Sequence, residues 1–240
     1  MIRIDGRASD QIRPIEIIPG INKFAEGSCL IRCGNTHVLC CASVEERTPP
    51  HVPEGEGWVT AEYSMLPRAN RERSKRDIAK LKLSPRSAEI QRLVGRSLRA
   101  CVDMKKLGER TITVDCDVLQ GDGGTRTASV TGGFVALFLA CWKLVQEGLL
   151  AELPLIDCVA AVSAGIVDDE LLLDLCYEED SSAQVDLNCV MTGSGRLVEI
   201  QGTGEGRPFT IEEQRALVEL CAKGIGEIQA IQKSVLEGSE

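Results

Sequence analysis

Apolar positions along this chain switch between a period of two and a period near 3.6, and the switches mark its elements. Residues 1–20 carry Arg3, Asp5, Arg7, Asp10 and Arg13 with few apolar anchors, which predicts an extended arm ending in a short strand at Ile15–Gly20. Ser28-Cys-Leu-Ile-Arg-Cys33 and Thr36 to Val44 flank Gly34-Asn35, the pattern of a β-hairpin with a two-residue turn. Trp58 to Leu66 alternates as a further strand. Ser84-Pro85 then supplies a cap and a first-turn proline, and Ile90, Leu93, Val94, Leu98 and Cys101 predict a helix running to about Met104. Thr111 to Leu119, rich in β-branched residues, reads as a buried strand. A glycine-rich turn, Gly121 to Arg126, leads into a core helix from Thr127 through Trp142.

The second half repeats the theme. Ile156–Gly165 and Glu170–Tyr177 read as paired strands, Glu178–Ser182 as a turn, and Gln184–Met191 as the next strand. Gly193-Ser-Gly195 turns into a strand at Arg196–Gln201, and Thr210 with Glu213 forms a capping box for a helix reaching about Leu236. Hairpin, loop and long capped helix thus recur near residues 27–104 and 184–236. The expected architecture is α+β: two similar β-sheet-plus-helix halves, about 1–120 and 121–240, packed as a single domain over 1–240.

Composition narrows the class. The 240 residues are 43% hydrophobic and 26% charged, as in a soluble globular protein. No run of apolar residues approaches the roughly 18 that span a bilayer, so no membrane partner is expected. Charge near the N-terminus argues against a secretory signal, and the expected location is cytoplasmic. Eleven cysteines sit mostly inside apolar runs and read as core hydrophobes in a reducing compartment. Cys29 and Cys33 lack a second ligand pair, which makes zinc improbable, and His37 and His51 are too few and isolated for histidine catalysis.

Net charge is −9, yet Arg68, Arg71, Arg73, Lys75, Arg76, Lys80, Lys82 and Arg86 face only Glu72 and Asp77 within residues 68–86. Such a basic island fits a polyanion footprint, and it equally fits a solvated charged loop.

The turn at residues 121–126 changes the picture further. Unpaired amides and the positive end of a helix dipole make a seat for an anion, to which Thr125 and Thr127 add hydroxyls and Arg126 a forked cation. The Lys-Ser/Thr ending of a Walker loop is absent. Arg86 begins one helix as Arg126 begins another, so both can converge on one anion. The same residues also fit an ordinary strand-to-helix turn with a surface arginine. Asp180 and Asp186, near one edge of the predicted sheet, suit Mg²⁺, which takes one or two carboxylates plus waters and substrate phosphates. The other reading is an exposed acidic turn at Glu178–Asp180, with Asp186 paired to a buried arginine; Asp174 and Asp117 are fallback ligands. No serine, cysteine or histidine stands out as an activated nucleophile, which suits a reaction in which bound phosphate itself attacks.

Cys116-Asp-Val-Leu-Gln-Gly-Asp-Gly-Gly-Thr-Arg-Thr-Ala-Ser-Val-Thr-Gly-Gly133 closely resembles the signature of the ribonuclease PH family, phosphate-dependent 3′→5′ exoribonucleases that trim tRNA precursors. Further similar blocks span nearly the whole chain: Arg3–Arg7, Trp58–Tyr63, Met65–Arg68, Glu89–Leu93, Leu107–Thr111, Asp174–Thr192 and Glu199–Glu205. The resemblance implies two β/α halves related to a ribosomal-protein-like module. It implies phosphate held by Arg86, Gly124, Thr125 and Arg126, and magnesium held by Asp180 and Asp186. Asp180 is also a candidate acid for the leaving 3′-oxygen. Arg68, Arg71, Arg73 and Arg76 would guide tRNA within a homohexamer, a trimer of dimers. Products would be a nucleoside diphosphate and a shortened RNA, in a reversible exchange. Lys80-Leu-Lys-Leu-Ser-Pro85 departs from the glycine-containing stretch usual in the family, and His37 replaces a frequent lysine. Alternatives are a single core like those of polynucleotide phosphorylase, or a silent ring subunit of an exosome-like complex, which typically lacks these arginines or aspartates.

Overall fold

The computed structural model describes residues 3–76 and 82–238. Two sheets organise the chain. The first has five strands in the spatial order Ile15–Pro19, Gly27–Cys33, Thr36–Glu45, Thr111–Gln120, Trp58–Met65, and the second four in the order Glu170–Leu173, Val159–Val167, Val185–Thr192, Leu197–Gly204. β1 (Ile15–Pro19), β2 (Gly27–Cys33) and β3 (Thr36–Glu45) form an antiparallel meander whose β2–β3 turn is the predicted Gly34-Asn35. β4 (Trp58–Met65) pairs parallel to β5 (Thr111–Gln120), and α1 (Pro85–Arg99) with α2 (Met104–Leu107) makes the crossover between them. α3 (Thr125–Gln146), β6 (Val159–Val167), β7 (Glu170–Leu173), α4 (Tyr177–Ser182), β8 (Val185–Thr192), β9 (Leu197–Gly204) and α5 (Ile211–Glu237) complete the order. This is the α+β arrangement of two sheet-plus-helix halves that the sequence predicts.

Burial explains how the halves join. α3 packs on β2 and β3 on one side and on β6 on the other. Every residue of β6 is buried: Val159 and Ala161 belong to the cluster that contains Val130 and Leu137 of α3, while Ala160, Val162 and Ala164 meet Leu217, Cys221 and Ile225 of α5. α3 is long and apolar enough to cross a membrane by length and composition, contrary to the expectation that no such run exists. Its window is 72% buried inside the fold, which is the environment of a core helix. All eleven cysteines are free and nine are buried, in keeping with their role as small apolar residues.

Several boundaries differ from the expectation for local reasons. α1 stops at Arg99, because the chain straightens so that Val102 bridges Leu155 and Asp103 N–H reaches the Pro154 carbonyl at 2.8 Å. Cys101 is still buried, so the apolar spacing outlasts the helix. α3 starts two residues early, at Thr125. The strand expected at Glu170–Tyr177 ends at Leu173, and the expected turn at Glu178–Ser182 is the helix α4. Its capping glutamate, Glu179, donates no proton but accepts from Cys176 N–H at 3.1 Å and from Arg3 Nε and Nη2 at 2.8 and 2.7 Å. That partner lies at the other end of the sequence, out of reach of any local pattern.

Candidate active site

The site grows from the end of β5. Gly123 and Gly124 have φ of +73° and +64°, a conformation that L side chains rarely adopt. A Cβ on Gly123 would stand 2.5 Å from the Leu175 carbonyl oxygen. The turn is pinned on both flanks. Thr36 Oγ1 accepts from Asp122 N–H at 2.9 Å and donates to the Gly123 carbonyl at 2.6 Å. Arg13 Nη1 donates to the Asp122 carbonyl at 2.6 Å. α3 then begins with no side-chain cap, so its first-turn amides and dipole are offered to whatever lies beyond.

Beyond lies a cavity of about 820 Å³. Its walls include Arg86 and Glu89 of α1, Gly124, Thr125 and Arg126 of the α3 start, Asp180 of α4, Asp186 and Asn188 of β8, and Gln201 of β9. Both predicted arginines and both predicted aspartates therefore converge. Arg86 owes its place to the Ser84 cap, whose Oγ accepts from Ser87 N–H at 3.0 Å, and to Pro85 at the helix start. Arg126 is aimed by a relay: its Nη1 donates to Gln201 Oε1 at 2.6 Å and to Glu89 Oε1 at 3.3 Å. Gln201 Nε2 donates to Glu89 Oε1 at 3.0 Å and Glu199 Oε1 at 3.1 Å, and Arg96 grips Glu199 with two bonds. Of the predicted hydroxyl donors, Thr125 shares a 2.9 Å bond with the buried Tyr63 phenol, and Thr127 Oγ1 is turned back onto the Gly124 carbonyl.

The acidic side is crowded. Burial, then the charge of Asp180, pushes the Asp186 carboxyl up to about 6, against the pull of Arg126 and the Asn188 amide. Asp180 belongs to a residue exposed at the rim, yet loss of solvent around its carboxyl raises it as well, with Arg86 and Arg126 opposing. Asp186 is thus not paired to a buried arginine; Asn188 Nδ2 donates to it at 3.2 Å. Nor is the acidic stretch a plain exposed turn, because Glu179 is buried on Arg3. The fallback ligands drop out. Asp174 receives Arg13 N–H, Nε and Nη2 at 2.7, 3.0 and 2.7 Å, and Asp117 lies on β5 outside this cavity.

The basic loop divides. Arg68 and Arg71 line a separate cavity of about 780 Å³ behind Gly121 and Asp122, where Arg71 pairs with Glu178 and stacks over Tyr177 at 5.7 Å. Arg76 lines a third of about 310 Å³ whose wall includes Arg86, so it adjoins the anion seat. Arg73 is exposed and lines none of these. Asp77, Lys80 and Leu81 lie outside the described residues. Glu89, Asn188 and Gln201 were not anticipated. Glu89 follows Arg86 by three positions on one helix, a spacing that places both on one face. Nothing local marks Gln201, which comes from the other sheet.

Guanidinium groups at two helix starts, facing a carboxylate pair across one cavity on an α+β scaffold, define an enzyme that handles phosphate groups. The model of the 3′ exoribonuclease family, domain 1, matches residues 11–142, and that of domain 2 matches residues 157–224. The chain is 56% identical to a Ribonuclease PH of Moorella thermoacetica, covering 98% of this chain and 95% of the relative. It is also 56% identical to a Ribonuclease PH of Neisseria gonorrhoeae, over 96% of each chain. A solved Archaeoglobus fulgidus exosome with RNA bound to the active site superposes with a TM-score of 0.79 at 25% identity, covering 95% of this chain and 91% of that one. The chain belongs to the 3′ exoribonuclease family. Its reaction is phosphorolytic: inorganic phosphate is the co-substrate, and 3′-terminal nucleotides leave as nucleoside diphosphates.

Proposed function

We propose that this chain trims the 3′ ends of tRNA precursors in the cytoplasm, with phosphate seated between Arg86, Arg126 and the amides at Gly124 and Thr125. The convergence of the two arginines and the two aspartates on one cavity carries this reading. The guanidiniums neutralise repulsion between the attacking phosphate and the phosphodiester, and the helix start fixes the direction of attack. A phosphate oxygen forms a bond to the terminal phosphorus while the bond to the 3′-oxygen of the preceding nucleotide breaks. The leaving 3′-oxygen takes up a proton as that bond breaks, and the attacking phosphate, still protonated near neutral pH, carries one. One phosphate linkage replaces another, so the exchange runs backwards when nucleoside diphosphates are abundant.

The donor set fits a magnesium ion. Asp180, Asp186, Glu89 and Glu205 outnumber Arg86 and Arg126 in the cavity wall, and burial raises the Asp180 and Asp186 carboxyls, Asp186 also through the charge of Asp180, a strain that a hard cation would relieve. Asp180 and Asp186 would hold it, and when bound it would neutralise charge on the phosphate oxygens. Arg68, Arg71, Arg73 and Arg76 would guide the body of the RNA, and the two halves would act as one unit within a homohexamer. A silent scaffold subunit would have no use for this set of residues.

Arg126→Ala tests the reading. Release of nucleoside diphosphates from a tRNA precursor supplied with phosphate and Mg²⁺ should fall by roughly 10²–10³-fold, the size of losing one charge-stabilising donor. The light-scattering mass, expected at six copies, should not change. Normal turnover in this variant would place the seat elsewhere.

A further inference from the structure

Glu89 is an odd residue to find in an anion seat. It stands one turn after Arg86 on α1, on the wall of the same cavity, and its Oε1 receives both Arg126 Nη1 at 3.3 Å and Gln201 Nε2 at 3.0 Å. Its side chain is 37% exposed, so the fold does not require a carboxylate there. Oε2 carries no hydrogen bond among the described residues. If the seat served only to attract negative charge, a carboxylate beside Arg126 would weaken it, because like charges repel at this range.

The chemistry of the anion resolves this. An ionised carboxylate only accepts hydrogen bonds. Inorganic phosphate near neutral pH still carries a proton, so it can donate one O–H while its other oxygens accept from guanidiniums and amides. Sulfate has the same shape and no proton, and it would have to set a bare oxygen against the carboxylate. We propose that Glu89 is the specificity-determining residue of the seat, accepting the O–H of a protonated tetrahedral oxyanion and rejecting one that is fully ionised. Gln201 positions it: the amide is fixed at both ends, with Oε1 on Arg126 and Nε2 on Glu89, so the carboxylate and the guanidinium keep their spacing. Selection works as much by repulsion of the wrong anion as by attraction of the right one.

This inference rests on the phosphate seat proposed above, and the test separates the two. Phosphorolysis of an RNA oligomer is measured with phosphate varied and sulfate as competitor at fixed Mg²⁺, in the wild type and in Glu89→Gln. The glutamine keeps the size and the acceptor for Arg126 but loses the charge and gains a donor. The ratio of the sulfate inhibition constant to the phosphate KM should fall about tenfold or more in the variant, the size of one charge-assisted hydrogen bond. Arsenate, protonated as phosphate is, should keep its wild-type ratio to phosphate. If the phosphate and sulfate constants move together, Glu89 only orients Arg126 and the proposal fails. A change in the arsenate ratio as large as that for sulfate would also overturn it, since size and not protonation would then govern. If Arg126→Ala leaves both phosphate and sulfate constants unchanged, the seat itself is misplaced, which is a different failure.

Discussion

At the scale of single residues, Asp186 shows how a fold can hold a carboxylate at a cost. Its carboxyl is pushed up to about 6, well above the ordinary 3.8, so the folded chain prefers it protonated. The sign follows from linkage: its favourable contribution is complete below about pH 4 and is lost as pH rises through about 6. In magnesium-free buffer at pH 7.5, Asp186→Asn should therefore be more stable than the wild type. The difference expected is about 1–2 kcal/mol, a two-unit shift discounted because the side chain keeps some contact with solvent. It should vanish near pH 4 and shrink when Mg²⁺ is added; urea melts at the three conditions check it. Arg86 was legible from a capped helix start, Arg126 from the glycine-rich turn before its helix, and Asp186 from a charge in an apolar run, with Asp180 in the acidic stretch just ahead of it. Glu89 and Gln201 were not, because their meaning lies in one bond between α1 and β9 across the two sheets.

Among the elements, the arm before β1 and the short helix α4 depend on each other. Arg3 is buried on Glu179, and Arg13 on Asp174, whose backbone holds φ at +54°. Burial would raise both carboxyls, but the guanidiniums of Arg13 and Arg3 outweigh it and hold them below their usual range. These pairs therefore contribute stability above about pH 4 and lose it as pH falls further. Arg13→Met should destabilise the chain by about 3–5 kcal/mol, because it strands a buried carboxylate. Adding Asp174→Asn should recover part of that loss and flatten the acid limb of the pH–stability curve, read by denaturant titration at pH 3 to 7. Reading the sequence, the arm looked like a poorly anchored extension and α4 like a turn. Periodicity reports which faces are apolar; it does not report a salt bridge spanning more than 160 residues. The hairpin, β5 and the capping box at Thr210 were legible because each signal lies within one short stretch of chain, Gly27 to Glu45 for the longest of them.

For the whole molecule, the active cavity exists only where the halves meet. α1 and the start of α3 come from the side of the first sheet, and Asp186, Asn188 and Gln201 from the second. The weak repeat announced two halves, but not that β6 would be covered on both faces or that α3 would serve both sheets. Electrostatics also belongs to this scale. Neutralising Arg71, Arg73 and Arg76 together should weaken tRNA binding far more at low salt than at high salt, the signature of phosphate contacts that release counterions. A loss that ignores ionic strength in filter-binding titrations would point to misfolding.

The long-range pairs made by the arm bear on how the protein is born. A ribosome that has delivered the first sheet and α3 has produced both arginines of the seat, but Arg13 still awaits Asp174 and Arg3 awaits Glu179. The loop at Asp122 is then tethered by a guanidinium whose own anchor has not been translated. Those anchors arrive only about three quarters of the way along the chain, just ahead of Asp180 and Asp186, so the arm, the turn and the acidic wall of the cavity are completed together.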